Sequence, residues 1–294
     1  DYLLRCIESE LIKQLKVYWR CDLDSLDCHS DGVRVEVNSG GTGSSEISAK
    51  LLIGADGANS KVRDLLGIGV TKFDYEQTAI IAPVSVDGVE ADTAYERFTE
   101  SGPLALLPSH NGRHVLVRTC RAAELQKLFN CNEAEFLDDV RARFGRPIGE
   151  FHQLGKRTKH ALIRTNTNAL VSQSTVLIGG AAVTVHPTAA QGLNLGIRDV
   201  SALVYHLHSA KRDDKPFWQA SVLQEYAVGR STDHRRVIGF TDTLANLFGS
   251  DFFAAKAVRR AGLLAVGAVP ALRRHLMYQG IGAFERRQAK PPSH

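Results

Sequence analysis

The sequence lacks the features that would assign it to several common classes of protein. No run of apolar residues reaches the roughly 18 needed to cross a bilayer, and the charged start does not resemble a secretory signal. The five cysteines form no CxxC pair, so neither a zinc ribbon nor a dithiol redox centre is indicated. The GxSxG turn of serine hydrolases is also absent. We therefore expect a cytoplasmic globular protein with reduced thiols and no metal site.

Positive charge is concentrated near the C-terminus. From Asp251 onward, eight Lys and Arg residues stand against two acidic ones, so the preceding residues carry −2 of a net charge of +4. Residues 258–274 place basic pairs on both sides of an apolar stretch. This pattern favours either peripheral contact with an anionic inner-membrane surface or a packed helix with a solvated basic face. Zinc-finger and RNA-binding motifs are absent, so nucleic acid is not an expected partner.

The first third of the chain alternates between helical and strand patterns. Residues 1–15 place leucines and isoleucine on one helical stripe, and strands are predicted around 33–37 and 47–53. The intervening segment 39–45 is rich in glycine, but it does not follow the GxGxxG pattern and it leads into a strand. We interpret it as a hairpin loop rather than a phosphate-binding loop.

Residues 70–170 read as mostly β. Asn111 and Gly112 predict a two-residue hairpin turn, because both tolerate positive φ. One helix interrupts this region: Asn132 caps its start, Glu135 completes a capping box, and Gly145 ends it.

The rest of the chain returns to a strand and then becomes helical. A strand is predicted over 174–179, and helices follow from Gln191 with interruptions at Pro216 and Pro270. We predict an α/β fold (α+β overall): an incomplete Rossmann-like cofactor domain, an inserted β-rich substrate domain and a helical C-terminus. The predicted bounds are 1–69 with 171–245 for the cofactor domain, 70–170 for the substrate domain and 246–294 for the C-terminal segment.

The first segment that carries chemistry is residues 51–63, which read LLIGADGANSKVR. An apolar strand ends at an acidic residue and a glycine, and a helix begins near Ser60. Asp56 is therefore expected at the carboxyl edge of a sheet, where open α/β folds bind ligands. Gly57 permits close approach, while the helix N-terminus and Arg63 favour a phosphate. The alternative is an ordinary strand–turn–helix with a capping Asp, and spacing alone leaves the two even.

The second segment is residues 176–199, which read VLIGGAAVTVHPTAAQGLNLGIRD. A strand ends at Gly179 and Gly180, small residues follow, and a helix opens at Gln191. The amides of 192–194 are expected to form a site for negative charge. The alternative is a tightly packed helix N-terminus. We expect the helix to bury a stripe of four residues: Ile197, Val200, Val204 and Leu207.

Together, about 120 residues apart, these segments resemble the second and third fingerprints of the flavoprotein hydroxylases, whose fold is that of p-hydroxybenzoate hydroxylase. Residues 96–108 (ERFTESGPLALLP), His186-Pro187, 192–200 and 239–244 (GFTDTL) narrow the resemblance to the ubiquinone-biosynthesis branch that hydroxylates 2-octaprenyl-6-methoxyphenol. The resemblance covers essentially the whole chain.

The resemblance implies an FAD-dependent monooxygenase that hydroxylates a polyprenylated phenol, with NAD(P)H and O₂ as co-substrates and a flavin C4a-hydroperoxide as the oxygenating species. It also implies a quinone-biosynthesis assembly as a further partner. The cofactor supplies the difficult chemistry in such enzymes, and no residue stands out as a base for the phenol. The residues expected to bind the cofactor are Asp56, Gly57, Arg63, Gly180, Pro187, Gly192, Leu193 and Asn194.

Two departures from the family pattern lead to further expectations. The first fingerprint, a βαβ unit with GxGxxG, is absent, so we expect this chain to be a fragment that binds FAD poorly. Most relatives carry Asp at the position of Gly180, where the carboxylate bonds ribityl hydroxyls. The loss of one such bond costs roughly 1–3 kcal/mol.

Other functions stay open on the sequence alone. A non-catalytic scaffold is favoured by Gly180 and the missing fingerprint, and another flavin oxidoreductase of the same fold is a further alternative. His186 resembles a catalytic base in sequence, but a structural or capping role is favoured. His206 and His208 lie two apart on a helix, so they face different ways and do not indicate a metal site.

Overall fold

The computed structural model describes residues 15–29, 31–39, 43–145, 148–187, 191–249, 262 and 264–280. The predicted N-terminal helix lies almost wholly outside the described residues, as do the centre of the glycine-rich loop and residues 258–261. In the described part, no helix is long and apolar enough to cross a membrane.

Three sheets form the β part of the molecule. Strands β1 (Asp22–His29), β2 (Gly32–Asn38) and β3 (Ser44–Ala49) make an antiparallel sheet, with the predicted hairpin between β2 and β3. Strands β4 (Leu52–Gly54) and β12 (Thr175–Leu177) are parallel, and β11 (Val171–Ser172) extends their sheet on the side of β12. β4 is thus an edge strand of this sheet among the described residues.

The largest sheet has seven strands and runs through the middle of the chain. Its order is β13-β10-β5-β8-β7-β6, and β9 also pairs with β5. The strands are β5 (Val70–Asp87), β6 (Tyr95–Thr99), β7 (Gly102–Pro108), β8 (His114–Arg121), β9 (Glu150–His152), β10 (Thr158–Thr167) and β13 (Val183–Thr184).

The helices follow the strands in three places, after β4, after β8 and after β13. They are α1 (Lys61–Leu65), α2 (Ala122–Asn130), α3 (Glu133–Phe144), α4 (Gln191–Arg212), α5 (Ala220–Gly249) and α6 (Pro270–Gly280). The capping box of Asn132 and Glu135 and the left-handed Gly145 confirm the predicted bounds of α3. The prediction of one helix in this region was wrong, because α2 directly precedes α3. The mixed α/β fold class is confirmed.

The two faces of the seven-stranded sheet have different neighbours. Ile80 and Leu116 pack with Phe136 and Val140 of α3 in the main core. Side chains alternate along a strand, so Ala79 and Val117 point to the opposite face, where they line a cavity. A second core joins β4 and β12 to α1, α4 and α5.

Two local predictions need correction. β7 and β8 are joined by a one-turn 3₁₀ helix at His110–Gly112, closed by a bond from Ser109 N to Arg113 O of 2.8 Å, rather than by a two-residue turn. Gly112 alone has the positive φ, 68°, which suits a longer loop. In α4, the predicted buried stripe is largely on the outer face: Ile197 is 53% and Val204 is 58% exposed.

Candidate functional site

The turns after β4 and β12 lie against each other. The strands pair in parallel, with Gly54 opposite Leu177, so both turns leave the same edge of the sheet. A Cβ built on Gly180 would lie 3.2 Å from Gly57 Cα and 3.3 Å from Ala58 N. We call residues 55–58 and 178–182 the paired turns. The two sequence motifs therefore meet through the backbone, where two glycines permit the approach.

Helix α4 starts beside the paired turns. A Cβ on Gly196 would lie 3.5 Å from Gly179 Cα, so the first turns of the helix pack closely on the β12 turn. Gly192 and Leu193 are exposed here, and the Leu193 side chain is 73% exposed. The start of α4 thus adjoins the two motif turns and presents backbone and small side chains to solvent.

Asp199 fixes this arrangement from within. Its carboxylate is fully buried and accepts hydrogen bonds from Gly179 N at 2.9 Å, Arg230 Nε at 2.8 Å and His234 Nε2 at 2.8 Å. Burial alone would raise the pKa of Asp199, but the His234 hydrogen bond and the charges of His234 and Arg230 hold it below its usual range. Arg230 and His234 had no signal in the sequence analysis, because they lie on α5, 31 and 35 residues further on.

The start of α1 differs from the expectation of open phosphate donors. Asp56 Oδ2 accepts from Val62 N at 3.1 Å, and Ser60 Oγ accepts from Arg63 N at 3.0 Å. These amides are therefore already bonded, since a five-residue helix is capped by its own neighbours. The geometry of Asp56 is that of the capping alternative.

Arg63 connects the two motifs. Its side chain is buried, and Nη1 donates to Ala181 O at 3.3 Å. Nε is buried and has no hydrogen-bond partner among the described residues. The guanidinium therefore lies between α1 and the β12 turn, where it stabilises the approach of the paired turns.

A cavity of about 310 Å³ lies on the face of the large sheet opposite α2 and α3. It is bounded by residues of β5, β8 and β10 and by the segment that leads to α4. Its lining residues are Tyr75, Ala79, Ile81, Val117, His160, Ala161, Leu162, Ile163, Val185, His186 and Pro187. Most of the lining is apolar, and the described residues that form it include no Lys, Arg, Asp or Glu. Ala79 and His186 are buried, whereas His160 and Ile163 are exposed.

His186 is part of the buried wall of this cavity. It is 1% exposed, its Nε2 lies 3.2 Å from Gln77 Oε1, and the Tyr75 ring packs edge-on at 4.6 Å between centroids. Burial lowers the pKa of His186 to about 4, against the opposing charge of Asp242. The imidazole is therefore neutral at pH 7 and only weakly basic, and its burial against Tyr75 and Gln77 favours the structural interpretation over that of a base.

The predicted site residues thus divide into two groups. The structure brings Gly57, Arg63, Gly180 and the start of α4 together, with Asp56 as a cap beside them. Pro187 lies at the cavity instead, four residues before α4 begins. Tyr75, Gln77 and Asp242, which contact or neighbour His186, were missed by the sequence analysis.

Paired turns at the carboxyl edge of a sheet, next to a separate apolar cavity, define a cofactor-dependent α/β protein. The sequence profile described as the FAD binding domain matches residues 7–239. The chain belongs to this FAD-binding family of flavoproteins.

Named relatives confirm the resemblance to the ubiquinone-biosynthesis branch. Ubiquinone hydroxylase UbiL of Rhodospirillum rubrum is 33% identical over 255 residues, which cover 87% of this chain and 58% of the relative. The 3-demethoxyubiquinol 3-hydroxylase of Escherichia coli is 32% identical over 260 residues, covering 88% and 65%. The chain thus spans less than two thirds of the length of these relatives.

A solved structure shows the same fold. The p-nitrophenol 4-monooxygenase PnpA from Pseudomonas putida aligns with a TM-score of 0.77 over 99% of this chain and 72% of that chain, at 18% identity. At this identity the likeness concerns the fold alone.

Proposed function

We propose that this chain is part of an FAD-dependent monooxygenase that hydroxylates a polyprenylated phenol in ubiquinone biosynthesis, with NAD(P)H and O₂ as co-substrates. The observation that carries the proposal is the uncharged cavity that ends at His186 and Pro187, in the segment between the β12 turn and the start of α4. The names of the two ubiquinone-pathway relatives support the substrate class.

The residues around the paired turns fit a flavin nucleotide. A Cβ on Gly57 or Gly192 would meet no atom within 4 Å, so the backbone at both positions faces open space. We propose that Gly57, Gly180 and residues 192–194 hold FAD through their backbone, and that Asp56 and Arg63 shape the turns beside its pyrophosphate. When bound, FAD supplies the reaction with O₂ after reduction by NAD(P)H. The protein then contributes position, exclusion of water and a fixed polar environment.

The cavity supports a neutral ring with an apolar substituent. A carboxylate placed there would have no cation among the lining residues, and the desolvation of an unpaired charge is costly. The neutral His186 supplies no compensating charge at pH 7. A prenylated phenol is therefore favoured over a hydroxybenzoic acid. The exposed Ile163 and His160 mark the side where we expect the tail to leave.

Turnover with isotopic oxygen tests the proposal. The polypeptide made from the complete reading frame is purified with FAD and given NADPH, ¹⁸O₂ and a methoxyphenol with a ten-carbon prenyl tail. We expect one ¹⁸O atom in the phenol product, and at least tenfold weaker turnover of 4-hydroxybenzoate. NADPH oxidation without oxygen in the product would favour a reductase. A colourless protein that binds no FAD would favour the non-catalytic scaffold.

Contact with a membrane surface is a separate part of the proposal. On α6 and just before it, Leu264, Leu272 and Met277 are exposed, and Arg273 and Arg274 are exposed as well. An exposed helix with both apolar and basic side chains is typical of peripheral binding to anionic lipid. The alternative partner is a quinone-biosynthesis protein complex. Flotation with phosphatidylglycerol vesicles is expected to fall when both arginines become Gln; unchanged flotation would contradict the membrane contact.

A further inference from the structure

A bulge in β5 directs two polar side chains to His186, which is part of the cavity wall. Asp74 pairs with Ile163 and Thr78 pairs with Ala161, so three residues of β5 stand opposite one residue of β10. Glu76, in the centre, has φ of 56°, and its N–H donates to Asp74 Oδ1 at 2.8 Å. Bulges re-aim side chains near binding sites. Here Tyr75 contacts His186 with its ring and Gln77 contacts it with its amide.

Asp242 of α5 holds the hydroxyl of Tyr75. The phenolic O–H donates to Asp242 Oδ1, and Arg164 Nε lies 3.5 Å from the other carboxylate oxygen. Burial and the Asp242 hydrogen bond raise the pKa of Tyr75, so the phenol stays protonated as the donor. Asp242 is not part of the cavity lining, whereas Tyr75 is. The carboxylate therefore contacts the cavity through the ring that it fixes, and its charge also acts on His186.

The helix that carries Asp242 also supports the paired turns. Arg230 and His234 of α5 bind Asp199, which binds Gly179 N. His234 and Asp242 are eight residues apart, or about 12 Å along a helix. One continuous helix, α5, thus connects the paired turns to the wall of the cavity.

We propose that Asp242 is a positioning residue for the phenol: by holding the Tyr75 hydroxyl from α5, it fixes the ring that shapes the buried end of the cavity. This inference rests on the proposed function, because it assumes that the cavity receives the phenol. Asp242 is then expected to affect the binding of the phenol and not the binding of FAD, although the same helix, α5, supports both sites.

Two matched substitutions in the complete, FAD-loaded protein test this role. Tyr75→Phe keeps the ring and removes the hydroxyl, and Asp242→Leu removes the acceptor. Each is expected to raise the KM for the ten-carbon prenylated methoxyphenol about tenfold, the effect of one buried hydrogen bond, and to leave kcat and the Kd for FAD within about twofold. The double variant should resemble Asp242→Leu, because that substitution has already removed the interaction that Tyr75→Phe removes. Asp242→Asn retains an acceptor and is expected to restore most of the phenol affinity.

Thr243→Val is the control on the same helix. Its hydroxyl is exposed and bonds only its own helix, at Gly239 O, so its loss should leave the KM unchanged. An unchanged KM in Tyr75→Phe and Asp242→Leu would overturn the proposal, as would an equal rise in the Kd for FAD, which indicates a merely structural role. If the wild-type protein binds FAD but converts no phenol, the proposed function fails, and this inference fails with it.

Discussion

The paired turns and the cavity wall are built in different ways. The turns are made of glycines and backbone from two short motifs, and their contacts are close approaches such as that of Gly180 to Gly57. The cavity wall is made of side chains from distant elements, Tyr75 from the β5 bulge and His186 before α4, and Asp242 on α5 holds the Tyr75 hydroxyl from behind that wall. Under the proposed function, the site for the cofactor would depend on backbone geometry, and the site for the substrate on side chains that tertiary packing brings together.

The largest expected effect is at Asp199, which serves the paired turns. Asp199→Ala leaves Arg230 and His234 buried without their shared carboxylate, and it frees Gly179 N. Breaking a buried ion pair by removing one partner costs about 3–5 kcal/mol. Urea unfolding at pH 7 measures the loss. Asp213→Ala, at a partly exposed ion pair on the surface, is the control. A loss below about 1 kcal/mol at Asp199 would show that the turns do not depend on this network.

The cavity wall is expected to respond to pH through His186. The pKa of His186 in the folded protein is about 4, below the ordinary 6.5, so the unfolded chain binds the proton first. The contribution of His186 is therefore complete above pH 6.5 and is lost as the pH falls towards 4. Between pH 7 and pH 5 this amounts to about 2 kcal/mol of unfolding free energy. When the pH falls from 7 to 5, the unfolding free energy of His186→Gln should therefore decrease by about 2 kcal/mol less than that of the wild type. Equal losses would mean that His186 is not buried as a neutral ring.

Two substitutions at Gly180 distinguish the hydrogen bonding of the paired turns to FAD from the packing of those turns. Gly180→Asp adds an acceptor for a ribityl hydroxyl and is expected to raise FAD affinity about tenfold in the complete protein. The new Cβ lies 3.2 Å from Gly57 Cα, so the turn has to shift by a few tenths of an ångström. Gly180→Ala adds the same Cβ without an acceptor, so it measures the effect of this shift on FAD affinity alone. If FAD titration gives equal affinities for Gly180→Asp and the wild type, the missing carboxylate is not a determinant of flavin binding.

The smallest effect is expected at Gly57. Its φ is 83°, and a Cβ there would meet no atom within 4 Å. Gly57→Ala should therefore cost only the backbone strain, about 1 kcal/mol in thermal unfolding. A loss of several kcal/mol would require a steric clash at the new Cβ, and it would contradict the open space found around Gly57.

Local signals in the sequence were sufficient for some elements. The helix α3 begins after Asn132 and ends before Gly145 as predicted, because its caps are adjacent residues with specific geometry. The position of β12 and the turns after β4 and β12 also followed from short apolar runs that end in glycine, but the single strand predicted over 47–53 is divided between β3 and β4, which belong to different sheets. The closeness of the two motifs was inferred from their resemblance to a family, and the parallel pairing of β4 and β12 explains it.

Contacts between residues far apart in the sequence determine the features that could not be predicted from the sequence. Apolar residues alone placed Ile197, Val200 and Val204 inside α4, but the helix instead turns Asp199 and Leu203 inward. Arg230 and His234, which stabilise the buried carboxylate of Asp199, lie on another helix, so no local sequence pattern predicts these contacts. The β5 bulge is similar: it depends on pairing with β10, and it places Tyr75 and Gln77 against His186.

A crystal structure of the complete protein with bound FAD tests the central claim most directly. We predict that the isoalloxazine ring lies against Pro187 and the start of α4, with its nucleotide along the paired turns and its reactive edge towards Tyr75 and His186. Density for the flavin elsewhere, for example on the face of the large sheet covered by α2 and α3, would contradict the account.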